Sequence, residues 1–405
     1  MNEEKNTRFE EQTNSGVPAQ EDTFPSCQGE SFKSPPKEER TAGETADRNY
    51  NNFSGEENSG NSNNAAYDNP GVYSAPKSYV TFIPYGYTPK TYEERRGLKK
   101  SAVTIGISLL LLLGISIFWA TAYFFIMGRL GFTYERALAI VSDPAVMQLV
   151  QVVLSVFMFT VPFIIVYKIN SLRISDLVPL GKPKKGNRLA MFFIGLSFCA
   201  FANIASSYAG YFFQSFGIDY NVDYGENPGG IFGFLLAFLS TSVVPGLIEE
   251  FACRGLIMGL LRKYGDGFAV LASAILFGLL HGNFDQMPFA FMVGLVLGFI
   301  VVQTNSLWIA VAVHAANNFV SVAFTYLLGG LSAEIQNLVY SLYLMAALTL
   351  GIAAAAVTSR GTEIFKFRES GVESAFSQRC KWFFTSPVII IFIVVCILES
   401  LIYFA

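Results

Sequence analysis

From residue 101 onward the chain is a succession of apolar runs, most about 20 residues long and nearly free of charge. No other feature limits the fold so strongly. A bilayer core about 30 Å thick is crossed by about 20 residues of helix, with a range of about 17–25. Backbone in hydrocarbon has to satisfy its own hydrogen bonds, so such runs form helices. They fall near 101–128, 146–167, 189–215, 230–261, 267–282, 286–303, 306–328, 334–358 and 385–405. Charged residues make up 15% of the chain and apolar ones 52%, whereas a soluble domain carries about 25% charged residues. A soluble enzyme, a nucleic-acid binder and a disulfide scaffold are excluded. The expected fold class is an all-α, polytopic membrane helix bundle of about eight or nine transmembrane helices, with a disordered N-terminal tail.

The tail is expected over residues 1–98, on the cytoplasmic side. Up to about residue 78 it is rich in Asn, Glu, Ser, Pro and Gly and has neither helical nor alternating periodicity. Such a segment buries too little apolar area to offset its ordering entropy. Its first 40 residues contain no apolar core of a signal peptide. Residues 1–100 hold 16 acids and 12 bases, and the rest of the chain holds 15 acids and 16 bases. The formal charge of −3 therefore describes no single surface and points to no partner for the tail. The five cysteines form no CxxC pair and no Cys/His cluster. Beyond the tail the sequence divides into N-terminal transmembrane helices (99–229), a motif-bearing segment (230–328) and C-terminal transmembrane helices (329–405).

Loop charge sets the orientation. Arg95, Arg96, Lys99 and Lys100 precede the first run, which places the N-terminus in the cytoplasm. The 168–188 loop has six bases against Asp176, and the 359–384 segment has five bases and three acids. The 216–229 loop, expected outside, carries only Asp219, Asp223 and Glu226. The expected location is a bacterial cell membrane.

Charge at bilayer depth costs roughly 2.5–3.5 kcal/mol and usually marks function. Here the polar exceptions cluster in three places. The fourth run reads Glu249-Glu250-Phe-Ala-Cys-Arg254, the fifth ends Phe277-Gly-Leu-Leu-His281, and the seventh reads His314-Ala-Ala-Asn317-Asn318. The chain has no other histidine. Glu250 and Arg254 stand four apart and can pair on one helix face, as can His314 and Asn318. Phe277 lies one turn from His281. At 1.5 Å per residue the three clusters reach similar depth near mid-membrane. A carboxylate beside an imidazole can take a proton from water, and a second imidazole with a carboxamide can donate to a developing oxyanion. Pro245 and Gly246 predict a kink or break in the fourth run. Gly255, Gly259, Gly278, Gly294 and Gly298 suit close helix packing. Asn283, Asp285 and Gln286 suit a polar cap on the turn between helices, with the lining of a substrate entrance as the alternative.

These three motifs resemble the EExxxR, FxxxH and HxxxN signatures of the CPBP family, the CAAX proteases and bacteriocin-processing or immunity proteins also called Abi. The resemblance covers about residues 230–325 and makes 230–328 the catalytic core. It implies an intramembrane endopeptidase, a hydrolase cutting a membrane-embedded or membrane-tethered peptide or protein. Glu249 would activate water with help from His281. His314 and Asn318 would form the oxyanion hole. Glu250, Arg254 and Phe277 would shape the site. No cofactor is required by this reading. Zinc remains an alternative, since one Glu and two His (Glu249, His281, His314) can form an open zinc site. A membrane scaffold or bacteriocin-immunity protein without enzymatic activity is the alternative function.

Overall fold

The computed structural model describes residues 83–182, 188–216, 227–359, 367 and 371–402, all within one compact unit, Ser78–Ala405. The expected tail up to residue 82 lies outside the described residues, as do the loop acids Asp219, Asp223 and Glu226. Every regular element among the described residues is helical. The first is α1, Pro89–Arg129, followed by the short α2, Tyr134–Val141, then α3, Pro144–Ile169. One short turn, α4 (Ile174–Leu177), precedes α5, Arg188–Gln214. The long helix α6 runs Gly230–Tyr264. Two hairpin helices follow, α7 (Asp266–Leu279) and α8 (Gln286–Thr304). The remainder are α9 (Leu307–Leu328), α10 (Ala333–Ser359), α11 (Phe376–Phe384) and α12 (Pro387–Leu401).

Seven of these helices are long and apolar enough to cross a bilayer, and the α11–α12 pair, bent by 71°, makes an eighth if taken as one span. The chain is thus a multi-pass membrane protein. The fifth apolar run, 267–282, is the shortest in the sequence and forms a correspondingly short helix. α7 has 14 residues, about 21 Å at 1.5 Å per residue, bounded by Gly265 at φ 110° before it and by the Gly282 turn at φ 61° after it. The tail boundary moves. Residues 89–98 are helical rather than disordered, since Thr88 caps α1 with a reciprocal Thr91 box and Pro89 occupies the first helical position. Both devices start helices by satisfying or dispensing with free N–H groups.

The core gathers around α6, which packs on α3, α7 and α9, while α5 lies against α8, α9 and α10. Leu256, Ile257, Leu276, Leu297 and Ala310 fill it. The α7–α8 hairpin is close because α8 presents glycine. A Cβ on Gly294 would lie 3.0 Å from Ala274 Cα, and one on Gly298 would lie 3.1 Å from Val270. These two residues therefore pack as their spacing predicts.

Candidate active site

α6 passes through the Pro245–Gly246 position without the expected break. The helix instead widens into a π-helical turn at Phe238–Val243, returns to α-geometry over Val244–Glu250, and widens again at Phe251–Ile257. Widened turns of this kind absorb a local misfit in the hydrogen-bond ladder and often occur at functional sites. In an α-helix the Thr241 carbonyl would accept from residue 245. Pro245 has no N–H, and the carbonyl accepts instead from Asn318 Nδ2 at 3.0 Å. The proline thus turns a main-chain acceptor toward α9.

Between the two widened turns stand Glu249 and Glu250. Arg254 Nη1 donates to Glu250 Oε1 at 2.6 Å, and both side chains are fully buried. The same oxygen is 2.9 Å from His314 Nδ1. A carboxylate paired with a guanidinium only accepts, so His314 Nδ1–H donates to it. The other ring nitrogen, Nε2, lies 4.0 Å from Glu249 Oε2. His314 therefore stands between the two neighbouring glutamates, hydrogen-bonded to Glu250 and near Glu249. Arg254 also sits 4.1 Å over the Phe277 ring. Phe277 meets the edges of both imidazoles, with centroids 5.0 Å from His281 and 6.0 Å from His314. His281 Nδ1 lies 2.9 Å from the Phe277 carbonyl. A carbonyl cannot donate, so this nitrogen carries the hydrogen and Nε2 is left as an acceptor.

Glu249, Phe277, His281, His314, Asn317 and Asn318 line one cavity of about 210 Å³. The residues singled out in three separate helices thus come together, with Glu250 and Arg254 buried behind Glu249. Sequence reasoning missed Gln151 and Thr241, which are exposed and line the same cavity. The signal for Gln151 was its place one turn from Gln148 in an otherwise apolar run. Thr241 carried none. Gln286 also lines the cavity, the alternative that its position left open beside a cap. Its backbone N–H does accept that role, donating to Asn283 Oδ1 at 2.8 Å.

A zinc site holds its ligands at about 2.0–2.2 Å from the ion. Among the described residues no three His, Cys, Asp or Glu side chains gather closely enough to share one. Glu249, His281 and His314 border the cavity together.

Residues 231–320 match the family model described as Type II CAAX prenyl endopeptidase Rce1-like. No curated protein and no solved structure matches the chain. Every motif residue, from Glu249 to Asn318, falls inside the matched stretch. The stretch 231–320 is thus similar to the CAAX proteases, the family that the three motifs resemble.

Proposed function

We propose that the protein is an intramembrane endopeptidase that hydrolyses a peptide bond of a membrane-associated peptide or protein. The observation that carries this reading is the single cavity of about 210 Å³ shared by Glu249, His281, His314 and Asn318. Glu249 takes a proton from a water held against His281 Nε2, and the hydroxide adds to the substrate carbonyl carbon. The oxyanion accepts from His314 Nε2–H and from Asn318 Nδ2–H. The tetrahedral species then expels the amine, which takes back the proton from Glu249. Donors already fixed in a low-dielectric site stabilise developing charge without reorganising.

This role requires His314 to carry both ring hydrogens, one toward Glu250 and one toward the oxyanion. The charges then balance. Glu249 and Glu250 are offset by Arg254 and the His314 imidazolium, with His281 neutral. Neutrality favours such a cluster at membrane depth. The reaction is written with water alone, and chelator treatment is expected to leave the rate unchanged.

The test is purified protein in liposomes with a farnesylated peptide ending in a CAAX sequence, the products being separated by mass. Glu249→Gln is expected to lower kcat by about 10²–10⁴-fold, the usual contribution of a general base. Full activity of this variant would overturn the reading and favour the scaffold or immunity alternative.

A further inference from the structure

Asn318, an oxyanion donor in the reaction scheme, ends a chain of side-chain amides whose other members the scheme leaves unused. Asn318 Nδ2 donates to the Thr241 carbonyl at 3.0 Å. Asn317 Nδ2 donates to Asn318 Oδ1 at 3.2 Å. On α5, Asn203 Nδ2 lies 3.0 Å from the Cys199 carbonyl and 3.5 Å from Asn317 Oδ1. Asn317 is buried.

The polarity of this chain follows from its two ends. A carboxamide can turn over and exchange its oxygen and nitrogen, but a backbone carbonyl only accepts. The Thr241 carbonyl therefore fixes Asn318 with Nδ2 toward α6 and Oδ1 toward Asn317. The Cys199 carbonyl, one turn back on α5, identifies Nδ2 as the Asn203 atom near it, and the same Nδ2 is the one that lies 3.5 Å from Asn317 Oδ1. Between them Asn317 has one consistent orientation, with its donor to Asn318 and its acceptor to Asn203. Turning Asn318 over would set Oδ1 against the Thr241 carbonyl and Nδ2 against Asn317 Nδ2, two repulsive contacts in an apolar surrounding. The second hydrogen on Asn318 Nδ2 is left for an occupant of the cavity.

We infer that Asn317 is a positioning residue that, backed by Asn203, holds Asn318 with its N–H aimed at the reacting carbonyl. Neither residue needs to touch substrate through this role. The inference rests on the proposed oxyanion function of Asn318 and deepens it. The HxxxN spacing points to Asn318 and passes over Asn317, although without Asn317 the Asn318 amide is held at one end only.

A double-mutant cycle on kcat, read with the farnesylated peptide in liposomes, tests it. Residues that act as a unit are strongly non-additive. Asn317→Leu is expected to lower kcat about 10–100-fold in the wild-type background, up to the loss of one oxyanion donor, with KM little changed. In an Asn318→Ala background the same substitution is expected to change kcat by less than about twofold. Asn203→Leu, which alters no residue lining the cavity, is expected to give a smaller loss that also vanishes with Asn318→Ala, and it supplies the cycle if Asn317→Leu fails to fold. Equal losses in both backgrounds, or none in the wild-type one, overturn the inference and leave the oxyanion reading standing. Full activity of Asn318→Ala overturns the oxyanion reading, and the inference with it.

Discussion

Glu250 and Arg254 show how much a membrane site depends on single atoms. Glu250 Oε1 takes hydrogen bonds from both Arg254 and His314, while Glu250 Oε2, Arg254 Nε and Arg254 Nη2 have no partner. Removing one member of a fully buried pair strands the other charge, at about 3–5 kcal/mol, whereas replacing both by apolar groups is often neutral. Glu250→Gln is therefore expected to lower stability by about 3–5 kcal/mol. Glu250→Gln combined with Arg254→Met is expected to recover most of it. Neither variant is expected to cleave, because His314 has lost the carboxylate that holds its second proton. Unfolding in detergent and the liposome assay separate the two effects. Restored activity in the double variant would mean that Glu250 is only a structural counter-charge.

At the scale of helices, the site depends on how closely α9 approaches α6. A Cβ on Gly246 would lie 3.0 Å from Ala315 Cβ and 3.2 Å from Ala315 N, and Ala315 follows His314. Ser242 reinforces the approach by donating to the Ala315 carbonyl at 2.6 Å. Gly246→Val is expected to push α9 away and to lower kcat about 10²-fold, the scale of a displacement of about 1 Å at a reacting centre. Gly246→Ala paired with Ala315→Gly, which moves the methyl across the contact, is expected to retain most activity. A fully active Gly246→Val would show that helix separation does not set the Glu249–His314 geometry. Sequence patterning marked this position as a kink. It could not show that two widened turns would carry the misfit, because both conformations fit the same apolar run and the choice is made by the helices packed on either side.

For the whole molecule, the first turns of α1 bind the segment leading into α11. Thr88 Oγ1 donates to Glu373 at 2.8 Å, and the backbone N–H groups of Glu373 and Ser374 donate to Glu94 at 2.9 Å each. Tyr87 lies 6.2 Å from Trp382, between ring centroids. A chain beginning at residue 78 is expected to match full-length activity. One beginning at residue 99 is expected to lose about 1–3 kcal/mol of stability through these contacts and the buried Leu98. Equal melting temperatures for the two truncations would show that the clasp contributes nothing. The sequence by itself determined the helical membrane class, because uncharged runs of bilayer length leave the backbone no other way to satisfy its hydrogen bonds. It also marked Glu249, Glu250, Arg254, His281 and His314, since ionisable groups are rare enough in such runs to stand out, and Asn318 through its spacing from His314. Only the tertiary structure decided that His314 hydrogen-bonds Glu250 and sets its Nε2 4.0 Å from Glu249. It alone brought Asn203, Gln151 and Thr241 to the site. Amides and hydroxyls are common in membrane helices as packing groups, and what they do depends on partners 77 to 114 residues away in the chain, a relation that helical spacing along one run cannot express.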